Sequence, residues 1–292
     1  MDRAARELKI DPLELRRINF IKKDNFPYRS STGETIDVGD FDRVLTAAEI
    51  SADIAGFERR KKESEAKGML RGLGLCYYIE SILGDPSEEA KVVFEEGLDV
   101  KIFVGTQSNG QGHETVFAQF LSDQIGIPIE KITVVQGDTD LIPNGGGTGG
   151  SRSVTVQNNA TLATVEKVIQ SFSQYLSEKL EVSLENIEFD DISFRINGSN
   201  YSPNVLEVAK MAFDDHRFDL LTHSAKATLD ARSFPNGAHF AEVEVDPETG
   251  FVQVVRYSVV DDFGNLINPM LAQGQVHGGV AQGIGQALYA VS

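Results

Sequence analysis

Apolar positions recur along this chain with two different periods, and the change of period divides it. Leu13, Leu15 and Ile18 fall within a short amphipathic helix, opened by Asp11 as N-cap and Pro12 at the first helical position. Residues 40–67 carry Phe41, Leu45, Ala48, Ala52 and Ala55 at helical spacing and predict one continuous helix. Its charged end, Glu58-Arg59-Arg60-Lys61-Lys62-Glu63, mixes both signs and reads as a solvated face. From Gly68 the texture changes to strands and turns, with residues 73–82, 90–95 and 98–104 as the first three strands. A helix with Val116, Phe117, Phe120, Leu121 and Ile125 on one face follows, then a short buried strand at 132–135. A long helix carries Val165, Val168, Ile169, Phe172, Leu176 and Leu180, and residues 185–198 read as two short strands. Ser202-Pro203 predicts a helix through about Phe213, with Pro at its first position. Residues 238–245 and 251–260 form a hairpin, Phe240, Val243 and Val245 against Glu242 and Glu244, and 270–289 is the last helix. The order predicts an α+β fold, mixed sheets with packed helices, in which residues 1–67 and 68–292 form separate subdomains.

A hydrophobic share of 41% and a charged share of 24% over 292 residues suit a globular chain with a sizeable core. The formal net charge of −17 argues against nonspecific binding to nucleic acid or an anionic membrane. The single cysteine, Cys76, excludes an intrachain disulfide and a cysteine-ligated iron–sulfur cluster. Its place in Leu73-Gly74-Leu75-Cys76-Tyr77-Tyr78 predicts a buried filler. His113, His216, His223, His239 and His277 show no metal-ligand spacing. No apolar run is long enough to span a bilayer, and Met1 is followed at once by a charged helical pattern, so a cytoplasmic location is expected.

The candidate chemistry lies in glycine-rich loops. Gly105-Thr106-Gln107-Ser108-Asn109-Gly110-Gln111-Gly112-His113-Glu114 and Gly145-Gly146-Gly147-Thr148-Gly149-Gly150-Ser151-Arg152-Ser153 each end where a helix begins. Glycine lets backbone approach a ligand closely, and the first N–H groups of a helix lack internal partners, so such loops suit a phosphate. Gln107, Gln111, Thr148, Ser151 and Ser153 add side chains that both donate and accept hydrogen bonds. A third cluster, Gln273-Gly274-Gln275-Val276-His277-Gly278-Gly279-Val280-Ala281-Gln282-Gly283-Ile284-Gly285-Gln286, repeats the Gln/Gly chemistry. Asp138 and Asp140 look like two ends of a turn rather than a catalytic carboxylate pair.

These clusters, with Gln136-Gly137-Asp138-Thr139-Asp140, Val260-Asp261-Asp262-Phe263-Gly264 and the opening Asp2-Arg3-Ala4-Ala5-Arg6-Glu7-Leu8, closely resemble one family along nearly the whole chain. It is the molybdopterin-binding large subunit of the xanthine dehydrogenase, aldehyde oxidase and aerobic carbon monoxide dehydrogenase family. The resemblance implies part of a two-subdomain molybdenum-cofactor-binding domain, with 68–292 as a second subdomain cut short at its C-terminus. It implies a molybdenum–molybdopterin cofactor, in the cytosine dinucleotide form, whose own sulfurs hold the metal. Gly110, Gln111 and Gly112 would line the pterin, and Thr148, Gly149, Gly150, Ser151, Arg152 and Ser153 would hold pterin and phosphates through amides and hydroxyls. Gln275 matches a glutamine beside the metal, whereas His113 orients its loop and is not catalytic. The implied activity is hydroxylation of an aldehyde or N-heterocycle, or carbon monoxide oxidation, with oxygen from water. The implied partners are an FAD-binding medium subunit and a 2Fe–2S small subunit, in a dimer of heterotrimers. The family's catalytic glutamate motif lies beyond the break in the match at Ala290-Val291-Ser292, and its substrate loop precedes Met1. The chain therefore looks like an internal fragment, inactive by itself. Two other readings stay open: a non-catalytic module binding a phosphate or nucleotide, and an assembly module derived from the family. Neither glycine loop has the dinucleotide G-x-G-x-x-G placement.

Overall fold

The computed structural model describes residues 1–82 and 84–289. In chain order the helices and strands begin with α1 (Asp2–Leu8), α2 (Pro12–Asn19), the ribbon β1 (Tyr28–Arg29) and β2 (Thr35–Ile36), α3 (Phe41–Ala52), α4 (Phe57–Glu65) and β3 (Leu70–Ile79). They continue with β4 (Ser87–Phe94), β5 (Val100–Val104), α5 (His113–Ile125), β6 (Ile132–Val135), α6 (Ser153–Leu180), β7 (Ile187–Phe189), β8 (Phe194–Ile196), α7 (Val205–Asp214) and β9 (Thr222–Thr228). The strands β10 (Asn236–Val245) and β11 (Val252–Asp262) and the helix α8 (Pro269–Leu288) complete the set. Mixed sheets with packed helices are what the apolar pattern predicts.

The chain divides into two compact units, one built from Met1–Ser81, Ala231–Asn265 and the chain from Val280, the other from Ile82–Asp230 and Leu266–Gly279. The break at Ile82 differs from the one expected near Gly68. The reason is pairing: β3 is antiparallel to β10, so it belongs with the first unit. That unit holds the sheet β11-β10-β3, and Ala238 and Phe240 pack against Val44, Leu45 and Ala48 of α3.

The single helix expected over residues 40–67 is broken. Asp53 adopts φ 49°, caps α3, and accepts a hydrogen bond from Arg60 Nη1 at 2.5 Å. A Cβ at Gly56 would lie 2.3 Å from the Asp53 carboxylate, so glycine is required at this corner. The corner turns Arg60 inward, against the solvated face expected of it: it is buried and forms a bidentate pair with the buried Glu242 at 3.1 and 2.6 Å. Arg71 grips the same carboxylate. Burial pushes the Glu242 carboxyl upward, but the hydrogen bonds from Arg60 and Arg71 outweigh it and hold the group below its usual range. Cys76 also departs from expectation: it is exposed, on the face of β3 opposite Leu75 and Tyr77, which pack toward α3.

In the second unit the sheet runs β6-β5-β4-β9, with β5 and β6 parallel and joined through α5. Strand β4 alternates strictly, placing Glu88, Ala90, Val92 and Phe94 on the buried side. Helices α5 and α6 cover that side through Phe117, Leu121, Val165, Val168 and Phe172. The helix after Ser202-Pro203 starts later than the proline implied. Asn204 is its N-cap in a reciprocal box with Glu207, at 2.9 and 2.8 Å, while the Pro203 carbonyl accepts from Phe194. Strand β9 carries too few strong apolar residues to announce itself in sequence.

Glu242→Gln leaves two arginines with a weakened buried partner and is expected to lower unfolding free energy by about 3–5 kcal/mol at neutral pH. Urea unfolding measures this; a loss below about 1 kcal/mol would show that the network does not hold the first unit together.

Candidate cofactor-binding site

The second unit is anchored by one ion pair. Arg152 and Glu88 meet at 3.0 Å with side chains only 2% and 1% exposed. Three further N–H donors of Arg152 are used, on Asp85 O at 2.8 Å, Ser87 O at 2.7 Å and Gly147 O at 2.6 Å. Glu88 accepts in addition from the backbone N–H of Gly146 at 3.0 Å. A Cβ at Gly146 would lie 2.5 Å from Arg152 Nη2, so the second glycine loop is wrapped tightly over the guanidinium. What Arg152 can offer a ligand is therefore its backbone.

The first and second glycine loops touch. A Cβ on Gly105 would lie 2.6 Å from Gly145 Cα and 2.3 Å from Glu88 Oε1, and one on Gly145 would lie 2.6 Å from Gly105 O. The Thr148 hydroxyl donates to Gln107 O at 2.6 Å, and the Ser153 hydroxyl donates to that of Thr148 at 3.1 Å. Gln157, fully buried on α6, accepts from Gly105 N at 3.1 Å and donates to Glu89 O at 3.1 Å. Both hydroxyl protons are used inside the site, so Thr148 and Ser153 can meet a ligand only as acceptors in this arrangement.

The glycines fall into two groups. Gly105, Gly145 and Gly146 are demanded by packing, whereas a Cβ on Gly110, Gly147 or Gly149 would meet nothing within 4 Å. Gly110 and Gly147 need glycine for their positive φ of 103° and 69°. At Gly149 neither packing nor a left-handed backbone calls for glycine. Gly150 and Ser151 are consecutively left-handed, at φ 65° and 58°, and turn the chain into α6. For serine that conformation costs roughly 1–2 kcal/mol.

Both loops deliver helix starts without a side-chain cap, at Gly112 for α5 and Arg152 for α6. Among the described residues no side chain takes up the first N–H groups of either helix, and the dipole favours an anion there. Gln111 turns its carbonyl oxygen back on its own loop, accepting from Asn109 N and from Ser108 Oγ. Among the described residues its amide N–H₂ donates to no protein group.

The segment that leads into the third cluster reaches α5 and the first loop. Gln119 of α5 donates to Ile267 O at 2.9 Å and accepts from Asn268 at 3.1 Å. Asn268 Oδ1 accepts from Leu271 N at 3.0 Å, and Leu271 lies against Gly112, 3.0 Å from where its Cβ would stand. Gln275 comes one helical turn later and is exposed, without a hydrogen bond among the described residues. Asp138 makes the expected turn, accepting from Asp140 N at 3.0 Å and Leu141 N at 3.3 Å.

Sequence reasoning passed over Glu88 and Gln157 and quoted Gln136 in a motif without giving it a role. Glu88 and Gln157 each had a signal: Glu88 shares strand parity with Ala90 and Val92, and Gln157 lies on the apolar face of a long helix. Gln136 accepts from Ser108 N at 2.9 Å and donates to Glu114. No group of three or more His, Cys, Asp or Glu side chains among the described residues could hold a metal ion. No described helix is long and apolar enough to cross a membrane.

Two touching glycine loops thus feed two helix starts that have no side-chain cap among the described residues, and Gly110, Gly147 and Gly149 stand in open space. Residues 47–290 match the family model described as a molybdopterin cofactor-binding domain, and the chain belongs to that family. It is 33% identical to the nicotine 6-hydroxylase large subunit of Paenarthrobacter nicotinovorans, over 99% of this chain and 38% of that protein. It is 29% identical to the carbon monoxide dehydrogenase large chain of Afipia carboxidovorans, over 97% of this chain and 38% of that protein. Among solved structures, quinoline 2-oxidoreductase from Pseudomonas putida 86 superposes with a TM-score of 0.86 at 29% identity, covering 98% of this chain and 38% of that one. A Cu,Mo carbon monoxide dehydrogenase gives 0.84 at 30% identity, over 95% of this chain and 38% of that one. The chain thus spans about 38% of the length of these curated relatives.

Arg152→Met leaves Glu88 buried without its cation and three carbonyls without donors. A loss of about 3–5 kcal/mol in unfolding free energy is expected in denaturant titration. Retention of wild-type stability would mean that the pair does not anchor the loops.

Proposed function

We infer that this chain holds the molybdopterin cofactor of a molybdenum-dependent oxidoreductase of the hydroxylase type. The whole enzyme would hydroxylate an aldehyde or N-heterocycle, or oxidise carbon monoxide, with oxygen from water. The observation that carries the reading is the contact of the two glycine loops at Gly105 and Gly145, which gathers the uncapped starts of α5 and α6 in one unit. The relatives named above, a nicotine hydroxylase and a carbon monoxide dehydrogenase, support the reaction class.

The donor set fits the group. A pterin edge presents alternating acceptors and donors, which the free N–H₂ of Gln111 and the backbone beside Gly110 and Gly112 can meet. Phosphate oxygens suit the amides of Gly149 to Ser153, at the start of α6. Two helix starts in one unit favour a pyrophosphate, hence the cytosine dinucleotide form. Gln275, one turn beyond Leu271, would face the metal end. When bound, the cofactor supplies two-electron redox chemistry at its metal, while these residues bind and orient it. Glu88 is committed to Arg152 and no residue here matches the family's catalytic glutamate motif, so these residues alone are expected to hold cofactor without turnover. An FAD-binding medium subunit and a 2Fe–2S small subunit would take the electrons, in a dimer of heterotrimers in the cytoplasm. The large-subunit and large-chain designations of the relatives agree with a multi-subunit enzyme.

The test is to produce the chain in a host that makes the cytosine dinucleotide cofactor, then measure molybdenum and released CMP per chain. Gln111→Ala and Gly149→Ala are expected to lower both several-fold while unfolding stability stays within about 0.5 kcal/mol of wild type. Gly145→Ala instead forces Cβ into Gly105 and should cost about 1–3 kcal/mol of stability. Natively stable chain that carries neither molybdenum nor CMP, or unchanged loading of both binding variants, would overturn the reading.

A further inference from the structure

His113 is the first residue of α5 and follows directly on Gly112, yet it is only 1% exposed. Its ring packs on Phe117, with centroids 4.8 Å apart. Neither ring nitrogen makes a hydrogen bond of ordinary geometry. The polar groups that approach it are the backbone of Thr106, at the start of the first glycine loop, and the side chain of Gln136, beyond the end of β6. Glu114, on its own helix, is the charged group that acts on it.

Gln136 gives this placement a consequence. Its Oε1 accepts from Ser108 N at 2.9 Å, in the middle of the loop, and its Nε2 donates to Glu114. One amide thus ties the loop's centre to the start of α5, beside a buried imidazole. A neutral imidazole tolerates that arrangement. A protonated ring carries two N–H donors and must find acceptors or water. Gln136 Oε1 is a movable acceptor on one of the groups that approach the ring, and taking it deprives Ser108 N–H of its partner.

We propose that His113 is the positioning residue of the first glycine loop: neutral, it leaves Gln136 free to hold Ser108 and so keeps Gln111 presented; protonated, it draws Gln136 away and releases the loop. The proposal rests on the cofactor reading only for the loop's purpose, since the latch operates in the protein by itself. Burial pushes the His113 pKa below its ordinary 6.5, with Thr106, Gln136 and Glu114 pulling weakly the other way. The folded chain therefore takes up this proton at lower pH than the unfolded chain does. The stability tied to the neutral ring is complete above pH 6.5 and is lost as pH falls below 6.5 toward the folded value.

The experiment uses the whole chain without cofactor. The His113 ring is followed by ¹⁵N NMR from pH 7.5 down to 5, and amide exchange of residues 105–112 is followed over the same range after correction for intrinsic rates. Exchange at Ser108 is expected to rise roughly tenfold with a midpoint matching the ring titration. His113→Gln, neutral at every pH, should remove the pH dependence. His223→Gln, which removes another buried histidine bonded to Leu220 O at 2.7 Å, should leave it in place. If His113→Gln fails to fold, the coincidence of the two wild-type midpoints still decides. A ring that titrates without any change at Ser108, or an exchange profile unchanged in His113→Gln, would overturn the proposal. Either result would leave cofactor loading at pH 7.5, and with it the functional reading, unaffected.

Discussion

The second unit depends on one ion pair shielded from water. Arg152 and Glu88 lie at 2% and 1% exposure, and four of the guanidinium's N–H···O contacts end on protein oxygen. Removing two charges from water costs several kcal/mol per ion, so such a pair earns no place by stability alone. Its value here is geometric. Glu88 comes from the first strand of the sheet and Arg152 from the N-cap of the longest helix, with the second glycine loop folded over both. A hydrophobic pair of the same volume could fill that space, but it could not fix the carbonyls of Asp85, Ser87 and Gly147 in direction. The loop's shape follows from those bonds.

From that anchor the rest of the cradle can be traced outward. Gly146 and Gly145 must be glycine because the guanidinium and the first loop occupy the space where their side chains would be. Contact at Gly105 then sets the first loop, and Thr148 locks it with one bond to Gln107. Glycines needed for packing end at 146, and those standing in open space begin at 147. The same residue type thus serves two purposes within four positions, and only coordinates separate them.

Much of this was legible in the sequence. The order of strands and helices, both loops, and the helices that start at His113 and Ser153 follow from periodicity and glycine spacing. What stayed hidden were residues whose role depends on a partner distant in the chain. Arg60 looks like one of several alternating charges until Asp53 breaks the helix and turns it toward Glu242, 182 positions away. Glu88 looks like a polar strand end until its parity with Ala90, Val92 and Phe94 is noticed. Strand β9 was missed because its buried positions are filled by His223 and Ala225, too weak an apolar signal for a strand. Cys76 misled in the other direction: an apolar run says a strand exists, but not which of its faces is covered.

The charge of the chain sharpens the picture of how an anion could be held. With a net charge of −17, the long-range field repels a phosphorylated ligand rather than steering it in. Attraction must act at short range, within the Debye length of about 8 Å at physiological ionic strength. The second unit neutralises one carboxylate beneath the loops, Glu88, by pairing it with Arg152. Glu114 is exposed and keeps its charge while accepting from the neutral amide of Gln136. The helix starts beside it offer N–H groups with no formal charge. Neutral donors of this kind bind an anion weakly in water and more strongly once solvent is excluded, because their dipoles are already oriented. Affinity then depends on how firmly the loops are held in place, which returns the burden to the buried pair and to the amide of Gln136.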